Sequence, residues 1–239
     1  MPRPYEVVTF DCYGTLIDWE RGISAAFAKA AAVDGVTLDP AAVLASYALL
    51  EPVVEAETHR SYREVLTETA RRVAARLGWG LAAARAGFLA ESLPEWSPFA
   101  DTNPALARLA AHGYRLGILS NVDDDLLAGT LRHLSVTFDL LVTAQQVGSY
   151  KPARGHFLTA RRRIGGDRWL HAAQSYFHDV APARALGIPV VRINRKGEAA
   201  SDGGHADREF RTLTELADWL ARSDAPPHPF LSPSKGERI

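Results

Sequence analysis

Four short clusters of polar residues in this chain could together make and break a covalent bond. In the first, the apolar run Val7-Val8-Thr9-Phe10 ends in Asp11, and Cys12-Tyr13-Gly14-Thr15-Leu16 follows. Such a run reads as a buried strand whose last residue presents a carboxylate at the edge of a sheet. Many strand-end aspartates that act on phosphate esters carry a second acid two residues on. Here a phenol, Tyr13, stands there, and that bears on which reaction is open. Ser120 and Asn121 form the second cluster, Lys151 before Pro152 the third, and Ser175, His178 and Asp179 the fourth. Taken singly, each has an ordinary explanation. Asp11 could cap a turn, Ser120 a helix near Asp123, and Asp179 the helix at Pro182, while Lys151 could be a solvated loop lysine. Gathered in order at one end of a sheet, they are hard to dismiss.

Two textures of sequence position these clusters. From about 20 to 92 the chain is Ala-, Glu- and Arg-rich with few β-branched runs, as helices require. Ile23, Phe27, Ala30 and Ala31 share one helical face. Asp39-Pro40 opens the next helix as cap and first-turn proline. Leu66, Val73 and Leu77 keep helical spacing, and Gly78 ends that helix. Near Leu93-Pro94-Glu95-Trp96-Ser97-Pro98 the texture changes. Strands are then expected over 114–120, 139–142, 169–175 and 189–193, with helices over 123–133, 152–164, 182–186 and 213–220. With the strand over 5–11, this alternation predicts a parallel α/β sheet covered on both faces, whose ligand sits beyond the carboxyl ends of its strands. The core is then discontinuous: 1–16 and 95–222, with a helical insert, 17–94, between them. Four prolines in a polar setting predict a disordered or loosely held tail over 223–239.

Bulk composition narrows the partners. The chain has 239 residues, 47% of them hydrophobic, enough for a sizeable core, and its net charge of −1 argues against nucleic acid as the main partner. Arg161-Arg162-Arg163 reads as a solvated helix face. The lone cysteine, Cys12, excludes an internal disulfide and fits a reducing cytoplasm; its plainest role is that of a small buried apolar residue. Neither a signal peptide nor a membrane span is expected.

The four clusters, Phe10 to Leu16, Leu119-Ser120-Asn121, Lys151-Pro152 and Ser175-Tyr176-Phe177-His178-Asp179, resemble the motifs of the haloacid dehalogenase superfamily. The resemblance covers nearly the whole chain except the tail. It is strongest to the 2-haloacid dehalogenase branch, where a tyrosine follows the nucleophile by two. It implies a Rossmann-like core with a helical cap inserted after the first motif. It implies a metal-independent hydrolysis of short 2-haloalkanoic acids with no cofactor: Asp11 attacks the halogen-bearing carbon and forms an ester, and water activated or positioned by Asp179 hydrolyses it. Lys151 keeps Asp11 ionised. Thr15 and Ser120 position carboxylates, and backbone N–H groups after Asp11 could stabilise the oxyanion. Asn121 matches a halide-contacting position. Relatives are often dimers, so a homodimer is possible.

Departures from the pattern alter the halide cradle. Ser175 holds the leading acidic position of the fourth motif, which leaves too few acids for Mg²⁺. No arginine lies in Leu44 to Leu50, where dehalogenases carry one facing the halide. Phe157 replaces a second tyrosine, Tyr176 an asparagine, and His178 an aromatic residue. His178 with Asn121 could make a compact, donor-rich pocket suited to a small halide, fluoride from fluoroacetate included. Tyr13 also belongs to this binding set, and Trp19, Tyr47 and Tyr62 could wall it on the cap side. Core packing is the competing role for His178, Trp19 and Tyr62. Arg21 is either a clamp for the substrate carboxylate or simply exposed. Three other functions stay open: a Mg-dependent phosphatase, a hydrolase opening a small-ring acid such as azetidine-2-carboxylate through the same ester, and a silent binding fold.

Overall fold

A computed structural model describes residues 3–57, 60–198 and 206–223. Six parallel strands run β1 (Val7–Phe10), β2 (Arg115–Ser120), β3 (Leu140–Thr143), β4 (Trp169–Ala173), β5 (Val190–Ile193) and β6 (Arg208–Phe210), in the order β3-β2-β1-β4-β5-β6. The chain winds outward in one direction from β1 to β3 and in the other from β4 to β6. The ends of β1 and β4 therefore flank the crevice where this topology places a ligand. β1 is buried along its whole length, as a central parallel strand with both faces covered must be, and this explains its unbroken apolar run.

Between β1 and the rest of the sheet the chain forms α1 (Trp19–Ala32), α2 (Pro40–Ala56), α3 (Tyr62–Arg76) and α4 (Phe88–Ser92). Local chemistry sets their ends. The Asp39 carboxylate accepts from Ala41 N and Ala42 N at the start of α2. Ser61 and Glu64 form a reciprocal capping box on α3. Gly78 stands at φ +71° just beyond α3, and this helix-ending conformation favours glycine. Ile23, Phe27, Ala30 and Ala31 are all buried on one face of α1. Gly22, on the same helix, is in contact with Trp96; a Cβ there would lie 2.4 Å from the indole ring.

Beyond the insert lie α5 (Thr102–Ala111), α6 (Asp124–Leu131), α7 (Ala144–Val147), α8 (Gly155–Ile164), α9 (Ala181–Ala185) and α10 (Leu213–Ser223). α5, α7 and β6 fall outside the expected elements. β6 reads Arg-Glu-Phe and is an edge strand with little burial, so it leaves no apolar signature. The strand expected over 169–175 stops at Ala173, because Ser175 Oγ accepts from His178 N at 3.1 Å and turns the chain into a wide helical turn, Tyr176–Val180. The helix expected from 152 begins at Gly155, after a turn closed by Ala153 N to Tyr150 O. The last helix continues to Ser223, three residues further than expected. The tail expectation falls almost wholly on residues outside those described. Arg161, Arg162 and Arg163 are exposed, Cys12 is fully buried, and among the described residues no helix is long and apolar enough to cross a membrane.

Candidate active site

The ends of β1, β2 and β4 and the loop before α8 converge on one ammonium group. Lys151 Nζ donates to Asp11 Oδ1 at 2.9 Å, to Asp179 Oδ1 at 2.7 Å and to Leu119 O at 2.9 Å. All three of its protons are thereby used. Lys151 and Asp179 are each 1% exposed and Asp11 8%. A buried ammonium without partners would lose its proton, but the two carboxylates push its pKa up despite burial. The loop that carries the lysine is clamped by Asn121, whose Oδ1 accepts from Lys151 N at 2.7 Å and whose Nδ2 donates to Lys151 O at 3.1 Å.

The two carboxylates share one cation but differ in character. Burial raises the pKa of Asp179, yet Lys151 and His171 outweigh it and bring the group to about 2. For Asp11 burial wins: its pKa is raised although Lys151 and Thr15 oppose the effect, and the charge of Asp179 adds to it. Asp11 is thus the more basic, and so the more nucleophilic, of the pair. Thr15 Oγ1 donates to Asp11 Oδ2 at 3.0 Å and accepts from Gln174 N at 2.9 Å. Gly14, at φ +95°, makes this turn possible; a Cβ there would come within 3.2 Å of the Trp19 indole.

Behind Asp179 runs a buried polar chain. His171 lies within 3.0 Å of Asp179 Oδ1 through Nε2 and 2.9 Å from Thr9 Oγ1 through Nδ1. Trp169 Nε1 donates to the same Thr9 oxygen at 2.7 Å. An ionised Asp179 only accepts, which assigns the Nε2 proton of His171 to that bond, while the Thr9 hydroxyl, accepting from the indole, keeps a proton it can give to Nδ1. Phe157 packs edge-on against His171, with ring centroids 5.3 Å apart.

A cavity of about 260 Å³ opens over this arrangement. Eleven of the twelve residues singled out in the sequence line it: Asp11, Tyr13, Trp19, Tyr47, Tyr62, Ser120, Asn121, Lys151, Ser175, His178 and Asp179. Thr15 lies beneath, against Asp11. Several details differ from expectation. Ser120 Oγ contacts no carboxylate; it is buried and unpartnered, as is Asp179 Oδ2. The Tyr13 hydroxyl lies 2.9 Å from Thr130 Oγ1. His178 Nδ1 lies 3.2 Å from Ser175 Oγ, and burial lowers the imidazole's pKa, so it stays neutral at pH 7. Arg21 is exposed and lines an outer groove with Val33 and Phe88, away from the site. Tyr62 combines its two competing roles, packing into the core at 8% exposure and walling the cavity, and Tyr47, expected only as a wall, does the same at 6%.

Sequence reasoning missed Glu51, Glu55, Gln174 and Trp96 in the lining, and Thr9, Trp169 and His171 behind it. The sequence did carry signals for some of them. Glu51 and Glu55 are acids spaced i, i+4 in an otherwise apolar helix, and His171 is an imidazole in an apolar parallel strand. Among the described residues no three His, Cys, Asp or Glu side chains are grouped to hold a metal ion. Tyr13 and Ser175 stand where a metal-dependent relative would carry further acids, so this donor set is poor in the carboxylates a hard divalent cation needs.

Comparisons with known proteins agree with this architecture. The family model of haloacid dehalogenase-like hydrolases matches residues 5–176. The (S)-2-haloacid dehalogenase H-109 of Pseudomonas putida is 27% identical over 224 residues, covering 91% of this chain and 99% of that protein. The crystal structure of a defluorinating L-2-haloacid dehalogenase superposes with a TM-score of 0.79 at 23% identity, over 91% of this chain and 95% of the other. The L-2-haloacid dehalogenase of Xanthobacter autotrophicus with chloropropionic acid covalently bound gives 0.79 at 18% identity, over 92% and 100%. Fold, motifs and family model coincide: the chain is an enzyme of the haloacid dehalogenase-like hydrolase family.

Proposed function

We propose that this hydrolase acts on the carbon–halogen bond of short 2-haloalkanoic acids, haloacetates and fluoroacetate among them, through an ester on Asp11 and without a metal. The observation that carries the proposal is the position of Lys151 Nζ, bonded at once to Asp11 and Asp179. A carboxylate so held is ionised and oriented for attack at carbon, and Tyr13 and Ser175 add no acid beside it to hold a divalent ion. A carboxylate oxygen of Asp11 attacks C2, and the halide leaves with the bonding pair as a stable anion. Water then attacks the Asp11 carbonyl carbon, positioned by the unpartnered Asp179 Oδ2. The hydroxy acid departs and the carboxylate is regenerated. Ser120 Oγ is the free donor for the substrate carboxylate. Tyr13, Trp19, Tyr47, Tyr62, Asn121 and His178 enclose the halogen, and the insert 17–94 acts as a cap over the core.

A single turnover in ¹⁸O-water tests the route. Label in the peptide containing Asp11 is the expected result; its absence, with product formed, would mean direct attack of water on substrate. Halide release from chloro-, bromo- and fluoro-acids should be indifferent to chelator, and phosphate esters should be inert. Phosphatase activity that needs magnesium would overturn the proposal.

A further inference from the structure

Helix α2 brings two carboxyl groups to the reaction cavity that none of these steps uses. Glu51 and Glu55 are one turn apart, share a helix face and line the same space as Asp11. Among the described residues neither forms an ion pair. Tyr62 Oη donates to Glu51 Oε1 at 3.1 Å and lies 3.3 Å from Tyr47 Oη. Glu55 Oε1 is buried with no partner; the group's other neighbours are Glu51, the Asn121 amide and, further off, Lys151. Tyr150, from the loop before α8, faces the same pair. Two more polar atoms in this cavity, Ser120 Oγ and Asp179 Oδ2, belong to side chains at most 1% exposed and also lack partners. The cavity thus presents unpaired polar groups on both its sheet wall and its helix wall.

Two carboxyls this close in a low-dielectric space cannot both ionise, so one keeps a proton. Burial raises Glu51 to about 7 and Glu55 to about 9, the charge of Glu51 adding to the latter. A halide needs no proton to depart. The nitrogen of a small-ring amino acid already carries one at neutral pH. An ether oxygen leaves as an alkoxide unless an acid serves it.

We propose that Glu55, sharing its proton with Glu51, is the catalytic acid of a second activity of this cavity: opening the epoxide of short 2,3-epoxy carboxylic acids. The activity rests on the Asp11 ester. Asp11 attacks a ring carbon, the C–O bond breaks toward oxygen, and that oxygen takes the Glu55 proton. Water hydrolyses the ester, the diol acid leaves, and the proton released returns to Glu55.

The test measures oxirane-2-carboxylate opening and chloride release from 2-chloropropionate side by side. Glu55→Gln can donate a hydrogen bond but cannot transfer a proton. It should lose at least about 100-fold on the oxirane and less than about 10-fold on the chloro acid, while Glu55→Asp recovers part of the oxirane activity. Wild-type oxirane opening should fall above about pH 9. Wild-type chloride release without oxirane opening, or equal losses on both substrates in Glu55→Gln, would overturn the proposal alone. Neither activity, and no ¹⁸O in Asp11, would overturn the ester chemistry beneath it as well.

Discussion

The sheet wall of the cavity and the helix wall facing it treat buried charge in opposite ways. On the sheet wall, Lys151 spends every proton on Asp11, Asp179 and Leu119 O, and Asp179 is held further by the chain His171-Thr9-Trp169. On the helix wall, Glu51 and Glu55 face the same space with no cation of their own, and burial raises both. On the proposed roles, the first arrangement fixes geometry and the second holds a transferable proton at the expense of stability. One cavity would then separate the chemistry at carbon from the handling of the leaving group, each on its own part of the chain.

The comparison can be broken most severely at Asp11. Asp11→Asn should abolish steady-state turnover, by about 10⁴-fold or more, in a halide-release assay, since no ester can form by the same route. Lys151→Met comes next. It leaves two buried carboxylates without their counter-ion, which should cost about 3–5 kcal/mol in urea unfolding as well as turnover. Residual activity near wild type would mean that the ammonium is not what holds Asp11.

Smaller effects sharpen the contrast. Asp179 has a folded-state pKa of about 2, below its ordinary 3.8. Its stabilising contribution is therefore complete above about pH 4 and lost as pH falls toward 2. Asp179→Asn should flatten the acid limb of a stability–pH curve over that window. The glutamates have the opposite sign. Their raised values mean that stability is fully present below about pH 4.5 and lost as pH rises through about 7 and then 9. Glu55→Gln should therefore raise unfolding stability at pH 8 by about 1–2 kcal/mol, with little change at pH 4. A loss of stability at pH 8 would mean that Glu55 is a satisfied structural group.

The sheet wall was legible in part because Asp11 and Ser120 stand where an apolar strand breaks at a polar residue. Lys151, beyond α7, and Asp179, inside the turn Tyr176–Val180, join them only through the order of the motifs and the family resemblance. The helix wall was not, because which face of α2 looks into the cavity depends on how the insert packs, a tertiary property. The spacing of Glu51 and Glu55 says they share a face but not which one. His171 and Thr9 were hidden for a related reason. They sit opposite each other across β1 and β4, and strand pairing is not written in either strand by itself. β6 escaped notice because an exposed edge needs no apolar pattern.

One tetrapeptide joins the two walls. Ser120 closes β2, Asn121 grips the backbone of Lys151, and Asp123 reaches the insert, its carboxylate accepting from Tyr62 N at 3.0 Å and Arg63 N at 2.9 Å at the start of α3. Residues 120–123 therefore act as a yoke. Any tilt of the insert that drags Tyr62 also pulls on the segment gripping the ammonium, so in the proposed reaction substrate entry and the aim of Asp11 would share one mechanical linkage.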